Sequence, residues 1–300
     1  MNKSVKASGS EAITVRRPDF ALNGNFTQHW FANNPILTHI LNAMHTVFPV
    51  GERQFIKTVK VYESLIKDGK LRAEVKAFIG QETQHGKQHD IFLQTLDRMG
   101  LDATGYADWY GKAAFSLYDD KHSAEAFWTS ILRPFFSAGA DDRIMLAFTA
   151  ALEHLTATLA EVILKDDLIF DGMPENMKEL FWWHAVEEIE HKAVAFDVFT
   201  DVAKGNYAER MTGFVFAMYY LNYFIARGFL HFVARDKSIE VTELPGAIVD
   251  AFPRAWRLVS GVAKGLLPYA KPDFHPNDVG QHALAKATLD RLMLSEKLSA

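Results

Sequence analysis

Apolar residues recur every three or four positions through most of the chain, which is the spacing of one face of an α-helix. No segment alternates apolar and polar residues as a half-buried strand would, so we expect an all-α protein. Proline interrupts helices, and Pro49 is expected to end the first one. The predicted helices are 34–48, 51–68, 71–99, a short one at 123–133, 141–165, 175–204 and 206–234, with one or two more after 241.

The connections between these helices predict a particular bundle. Short loops around Gly69 and Gly172 join helices in two pairs, and the long stretch 101–140 separates the pairs. A short loop, a long connection and a second short loop, in this order, are typical of a ferritin-like four-helix bundle with one long crossover. Here additional C-terminal helices follow the bundle. We therefore expect a loosely ordered leader at 1–20, one helical domain at 21–270, and an extension at 271–300 packed on or beside it.

Two Glu-x-x-His pairs lie in separate predicted helices: Glu82 with His85 in QETQH, and Glu188 with His191 in EIEH. Residues three apart on a helix project from the same side, so both side chains of a pair can reach one metal ion. Mixed carboxylate and imidazole donors suit iron, manganese or zinc, and carboxylate-rich sets favour iron or manganese. Each pair is therefore a candidate half of a metal centre.

Each pair also follows a helix that carries a candidate partner glutamate. Glu153 is the only acidic residue between 144 and 160, a run without Lys or Arg, where burying an unpaired carboxylate would cost several kcal/mol. The alternative is that this face is exposed and Glu153 is solvated. Glu52 is equally well explained by the helix dipole, which favours an acidic residue in the first turn. A glutamate followed by Glu-x-x-His, twice over, is the ligand order of a bundle with two metal ions.

Further polar residues share these faces. Thr156 lies one turn after Glu153, His184 lies four residues before the second pair's glutamate, and His89 lies four residues after the first pair's histidine. Either additional histidine is a candidate seventh ligand, a hydrogen-bonding support for a ligand, or neither. The candidate catalytic residues are Glu153, Thr156 and His184.

Three more charged residues flank the second pair. Glu187 is the rival of Glu188 as a ligand, since it lies one turn before the pair's histidine, but it is off the stripe that begins at His184. We interpret Glu190 and Lys192 as solvated.

Composition removes several classes of function. The formal net charge of −5 argues against a protein whose main task is to bind nucleic acid. Cys is absent, which excludes disulfides, Cys-ligated zinc, iron–sulfur clusters and thiol nucleophiles. The first 20 residues contain no apolar stretch of signal-peptide length. We expect a cytoplasmic protein.

The segment 211–234 is the most apolar of the predicted helices. Its uncharged run ends before Arg227 after about 16 residues, which is short of the ~20 needed to cross a bilayer. A buried fifth helix is the leading interpretation. The alternatives are a helix that closes over the metal site and one that faces a membrane surface, so peripheral membrane contact stays open.

The segments FPVGERQF, QETQHGKQH, the ALEH run and HAVEEIEHK together resemble the bacterial family described as predicted metal-dependent hydrolases, within the ferritin-like superfamily. The resemblance covers roughly residues 20–271. It implies a bundle with a two-metal carboxylate centre. The implied ligands are Glu52, Glu82, His85, Glu153, Glu188 and His191.

Three functions are compatible with such a centre. The leading hypothesis is an enzyme with two iron ions that activates dioxygen and oxidises a small, apolar or aromatic organic substrate, with an electron-donor protein as partner. The first alternative is a two-metal hydrolase that acts through a metal-bound water, with manganese or zinc as other metals. The second is a non-catalytic iron-binding bundle. A homodimer is compatible with each.

Overall fold

The structure, a computed structural model, describes residues 13–119 and 140–293, and within these ranges it contains helices and connecting segments but no strand. The prediction of an all-α protein is confirmed. A helical turn at Val194–Asp197 and a π-helical segment at Val198–Val202 follow the fifth long helix. The long helices are α1 (Pro35–Lys60), α2 (Gly69–Arg98), α3 (Ala103–Asp119), α4 (Ala140–Lys165), α5 (Glu175–His191), α6 (Tyr207–Arg235), α7 (Leu244–Leu266) and α8 (His282–Met293).

Helices α1, α2, α4 and α5 form a four-helix bundle, in which α1 contacts α2 and α4 while α5 contacts α4 and α2. Two apolar clusters fill the interior. On α2, Phe78 belongs to one cluster and Phe92 to the other, and on α4 the corresponding residues are Leu152 and Ala160. The candidate metal ligands on both helices lie between these two clusters. The candidate ligands therefore occupy a polar layer with apolar packing on both sides.

The predicted helix end at Pro49 is wrong. Helix α1 runs through Pro49 without interruption, and Pro49 is buried. An internal proline costs a helix roughly 3 kcal/mol, but α1 packs against α2 and α6, and this packing outweighs the local cost. Consequently Glu52 lies in the middle of a 26-residue helix instead of its first turn. The helix dipole therefore does not account for Glu52.

The long connection contains one helix that the sequence pattern does not predict. Residues Ala103–Asp119 form α3, which packs on α1 and α2, although Gly105 and Gly111 interrupt its sequence pattern. The predicted helix at 123–133 lies outside the described residues.

The predicted leader is partly wrong as well. Residues 1–12 lie outside the described part of the chain, but the segment after them is held against the bundle. Phe20 is buried against Trp183, with ring centroids 5.6 Å apart, and Arg16 binds two glutamates of α5. Its guanidinium is favourable there because it forms charge-assisted hydrogen bonds with two carboxylates on α5.

Within the described ranges, α4 is the helix long and apolar enough to cross a membrane by length and composition, with a mean hydropathy of 1.3 over its best window. That window is 72% buried inside the protein. Helix α4 contacts α5, α6 and α7 as well as α1. It is therefore the central helix of the bundle.

Candidate metal centre

The six predicted ligands come from four helices and meet in the polar layer. Helix α1 supplies a glutamate, α2 a Glu-x-x-His pair, α4 a glutamate and α5 the second pair. Each side chain belongs to a residue that is 5% exposed or less, and the helices place their donor atoms within hydrogen-bonding or metal-ligand range of one another. The residues brought together are Glu52, Glu82, His85, Glu153, Glu188 and His191.

One half of the layer is centred on His191. Its Nε2 lies 3.1 Å from Glu82 Oε1 and 3.1 Å from Glu153 Oε2. Glu188 Oε2 is 3.6 Å from the same nitrogen. Three carboxylates from three helices thus face one imidazole nitrogen, which is a compact set of donors for one metal ion.

The other half is centred on His85. Its Nδ1 lies 3.7 Å from Glu82 Oε1 and 3.5 Å from Glu188 Oε1. Glu52 Oε1 approaches from α1, and His184 Nε2 is 3.7 Å from it. Glu82 and Glu188 therefore lie between the two halves, within reach of both. His184 Nε2 also lies on the His85 side, beside Glu52 and Glu188.

The outer nitrogen of each imidazole is held by a side chain behind it. His85 Nε2 lies 3.1 Å from Glu187 Oε2, and His191 Nδ1 lies 2.8 Å from Gln81 Oε1. Because carboxylate and amide oxygens only accept hydrogen bonds, both outer nitrogens carry the proton. In the neutral form of each imidazole, the inner nitrogen, His85 Nδ1 or His191 Nε2, then carries the lone pair. This is the tautomer that metal binding requires.

Glu187 is thus a support for His85 and not the rival of Glu188. It is fully buried, accepting hydrogen bonds from Arg16 and from Trp183 Nε1 at 3.0 and 2.9 Å. The interpretation of Glu190 as solvated is wrong, because it accepts hydrogen bonds from Arg16. In its second half, helix α5 turns its polar residues toward neighbouring segments, and the sequence pattern alone does not predict this.

The interpretation of Lys192 as solvated is also wrong. It is 1% exposed, and its Nζ donates to the carbonyl of Val279 and to Gln281 Oε1, at 2.7 and 2.8 Å. Burial lowers its pKa to about 8. Lys192 joins the end of α5 to the segment that precedes α8.

A row of three buried histidines extends from the centre. His184 Nε2 lies 2.8 Å from Glu188 Oε1, His184 Nδ1 lies 3.1 Å from His89 Nε2, and His89 Nδ1 lies 2.8 Å from His45 Nδ1. The charge of His191 and the hydrogen bonds of Glu188 with His184 and His191 outweigh the effect of burial and hold the pKa of Glu188 well below the ordinary value. The carboxylate is therefore ionised and accepts a hydrogen bond from His184. Each histidine then donates toward the centre. His45 was not among the sequence candidates.

Thr156 reaches the centre from α4. Its hydroxyl donates to Glu188 Oε2 and also lies 3.1 Å from the carbonyl oxygen of Glu153. Thr156 and Phe48 of α1 are half-buried, and the Phe48 ring centroid lies 5.6 Å from that of His184. The hydroxyl of Thr156 and the ring of Phe48 therefore border the centre, and both residues are partly exposed.

The residues present fit a metal pair. Both carboxylate oxygens of three glutamates are buried without a hydrogen-bond partner, as are His85 Nδ1 and His191 Nε2. Buried polar atoms without partners are rare and destabilising in folded proteins, and here eight of them face one another. Two cations would satisfy all of them at once. The three glutamates are Glu52, Glu82 and Glu153.

The electrostatics of the layer point the same way. Burial raises the pKa of Glu153 to about 8, with Glu188 and Glu82 adding to the rise against the opposing effect of His191. Burial and the charge of Glu82 also raise the pKa of Glu52 well above its ordinary value. The pKa values of His85 and His191 are raised as well. Burial alone would lower them, but the carboxylates around each imidazole outweigh burial and raise them. The layer thus favours added positive charge.

A second group of possible ligands, distant in sequence, has a different character. His29 Nε2 and His39 Nε2 lie 2.8 and 2.9 Å from Asp236 Oδ2. Trp30 Nε1 donates to Asn42 Oδ1, so the amide nitrogen of Asn42 donates to His39 Nδ1. His39 therefore carries its proton on Nε2 and donates it to Asp236, leaving no lone pair for a metal. This group is a hydrogen-bonded junction.

No curated protein and no solved structure matches the chain. One protein family does match, over residues 14–280, a range that contains the bundle, all six converging ligand candidates and the row of histidines. Its description reads "predicted metal-dependent hydrolase". The match covers most of the chain, and the chain belongs to this family of predicted metal-dependent hydrolases.

Proposed function

We propose that the protein is a hydrolase with a centre of two metal ions. The residues that would hold the ions are Glu52, Glu82, His85, Glu153, Glu188 and His191. The observation that carries the proposal is the set of buried donor atoms without hydrogen-bond partners, which face one another across four helices. The family to which the chain belongs supports the same chemistry.

Two divalent ions bound there would supply Lewis acidity, lowering the pKa of a bound water and polarising the bond to be cleaved. Four glutamates carry the charge that neutralises two divalent ions, which makes the loaded centre tolerable in an apolar interior. Thr156 orients the Glu188 carboxylate, and His184 holds its other oxygen.

The test is hydrolysis without oxygen. The protein is purified without chelator, its metals are measured by mass spectrometry, and it is then reloaded with Zn²⁺ or Mn²⁺ under argon and offered a panel of nitrophenyl esters and phosphoesters. We expect two ions per chain, and turnover under argon with redox-inert Zn²⁺.

The matched variants are Glu153→Ala, which removes a ligand, and Glu63→Ala, which removes an exposed glutamate between α1 and α2. Glu153→Ala should lose at least one ion and the activity, whereas Glu63→Ala should keep both. Absence of bound metal in the unaltered chain would refute the centre itself.

Dioxygen activation by two iron ions is the second candidate, and the ligand set favours it. Four carboxylates and two imidazoles are a carboxylate-rich set, which suits iron or manganese better than zinc. Oxygen uptake by the Fe²⁺-loaded protein, together with no hydrolysis of any ester under argon, would select this candidate. An apolar or aromatic substrate and an electron-donor protein would then be required. Bound iron without either activity would select a non-catalytic bundle.

A further inference from the structure

Helix α7 is amphipathic, but its apolar side faces solvent. Of its 23 residues only Ala251 is buried. Val249, Phe252 and Trp256 are 70%, 62% and 62% exposed. They share one face with Ile248 and Val259, because positions three, four and seven apart on a helix align. The face contains no charged residue, so α7 presents a continuous apolar stripe to the outside.

Helix α6 presents a similar stripe. Gly213 and Gly228 face the bundle, while Val215, Tyr219 and Leu230 are 63%, 68% and 57% exposed. Both α6 and α7 contact α1 and α4, whose other sides are occupied by α2 and α5. The outward faces of α6 and α7 therefore lie on the same side of the molecule. We call the exposed apolar residues of the two helices the outer face.

Charge is distributed unevenly around the outer face. Residues 207–271, which contain both helices, carry eight Lys and Arg against five Asp and Glu, in a chain whose formal net charge is −5. Arg235, Arg254 and Arg257 are paired with aspartates from outside this segment, so they do not add free positive charge to it. Lys264, which lies beside the α7 stripe, is exposed. Arg227 lies beside the α6 stripe, with its guanidinium 5.5 Å from the centroid of the Trp109 ring.

We propose that the outer face binds the surface of an anionic lipid membrane. A helix with an apolar face, aromatic side chains and basic edges lies in the interfacial plane of a bilayer, with its apolar side among the acyl chains and its basic side chains at the headgroups. Tyr219, Tyr223 and Trp256 have the amphipathic rings that concentrate at this depth. Exposed apolar patches of this extent are uncommon on soluble monomers.

A second copy of the chain fits the outer face less well. A symmetric dimer would bring the exposed basic side chains beside the two outer faces, Arg227 and Lys264, toward each other, whereas anionic headgroups carry the opposite charge. The face also belongs to helices that cover the α1–α4 side of the bundle, so membrane binding would place that side toward the lipid. The proposal does not depend on the chemistry of the metal centre.

The experiment is vesicle flotation with the full chain. Vesicles are made of phosphatidylcholine alone or with about 30 mol% phosphatidylglycerol, whose anionic headgroups attract basic side chains. We expect binding to the anionic vesicles, a fall in binding when NaCl is raised from about 0.1 to about 0.5 M, and quenching of Trp256 by brominated lipid. Trp256→Phe identifies the contribution of Trp256 to the quenching.

The variants separate the apolar and charged contributions. The double substitution Phe252→Ser with Trp256→Ser should lower the partition coefficient at least about tenfold, because it removes two large apolar side chains from the stripe. Lys264→Glu should lower it about fivefold or more on anionic vesicles only, since one basic side chain near the surface is worth about that factor. Leu65→Ser, a leucine 57% exposed in the turn between α1 and α2, is the control and should bind normally.

Circular dichroism and metal content confirm that each variant is folded. No flotation with either vesicle, or flotation that none of the substitutions in α7 alters, would overturn the proposal. So would a dimer in light scattering that dissociates in the Phe252→Ser, Trp256→Ser variant while vesicles stay unbound, because the outer face would then be an interface between copies.

Discussion

At the scale of single residues, Gln81 shows how the centre depends on side chains that cannot bind the metals. Its Oε1 accepts from His191 Nδ1, and its Nε2 donates to Glu190 Oε2 and to the carbonyl of Thr14, at 2.7 and 3.0 Å. Gln81 is fully buried, so these bonds fix its amide and thereby the orientation of the imidazole. The N-terminal segment contributes to the site through this amide.

Replacing Gln81 by Leu should weaken metal binding without unfolding the protein. The imidazole of His191 would lose the partner that keeps its inner nitrogen unprotonated, and loss of such partners typically costs about 10–100-fold in metal affinity. Competition with a chromogenic chelator measures the change. Gln94→Leu, at an exposed position of the same helix, is the control. Equal affinities in the two variants would contradict the orienting role.

The residues found from sequence are those with a local signal. Glu153 stands out because it interrupts an apolar run, and the structure buries it completely. His45 and Gln81 have no such signal, since their partners are 44 and 110 residues away in the chain. Periodicity identifies which face of a helix is buried, but contacts between distant helices follow from how the helices pack.

At the scale of elements, the contact between α6 and α4 depends on a missing side chain. A Cβ at Gly213 would lie 2.6 Å from backbone atoms of Ala147 and Phe148, which cannot move aside. Gly213→Ala should therefore push the helices apart and destabilise the protein by about 1–3 kcal/mol. Urea unfolding measures the loss.

Gly246→Ala in α7 is the matched control for this substitution, since nothing lies within 4 Å of a Cβ there. It should leave stability unchanged or raise it slightly, because alanine favours helix. A similar loss in both variants would show that the close approach of α6 to α4 is not responsible.

The junction at Asp236 predicts a loss of stability in acid. Burial alone would raise the pKa of Asp236, but hydrogen bonds from Ser238, His39 and His29 outweigh it and hold the pKa at about 2, below the ordinary 3.8. The stabilising contribution is therefore complete above pH 3.8 and disappears as the pH falls through about 2. Asp236→Asn should lower the unfolding free energy by about 1–3 kcal/mol at neutral pH, because its amide nitrogen would face other donors.

The pH series provides the check on Asp236. Urea unfolding is compared between the unaltered chain and Asp236→Asn at pH values from about 5 down to about 2. The difference between them should shrink toward the acid end. Asp108→Asn, at an exposed position of α3, is the control. A difference independent of pH would show that the charge of Asp236 contributes nothing.

The helices themselves were largely predictable, because their apolar periodicity is strong. The exceptions are α1, where packing along the whole helix overrides a local rule about proline, and α3, which the glycine-interrupted pattern does not predict. Helix α7 was anticipated as a helix after residue 241, but its orientation was not. An amphipathic pattern predicts an apolar and a polar face but does not determine which of the two packs against the rest of the protein.

At the scale of the whole molecule, metal binding and folding should be coupled, since the donors come from four helices. Removing the ions leaves buried carboxylates facing one another. Free metal at a thousandfold excess over Kd stabilises by about 4 kcal/mol, which in a chain of this size corresponds to a melting temperature higher by about 6 °C. Chelation should therefore lower the melting temperature by about that amount, and Mn²⁺ should restore it. In Glu153→Ala the response should be smaller, and an unchanged melting temperature on chelation would contradict the coupling.

The arrangement of the centre also has a consequence for biosynthesis. Glu52, Glu82 and His85 leave the ribosome long before the second half of the donors, so a nascent chain offers a cation only an incomplete set. The set is complete once His191 has emerged and α5 has docked. Cofactor acquisition would thus be a late event that marks a finished bundle, and a chain interrupted ahead of α5 would lack the donors of that helix.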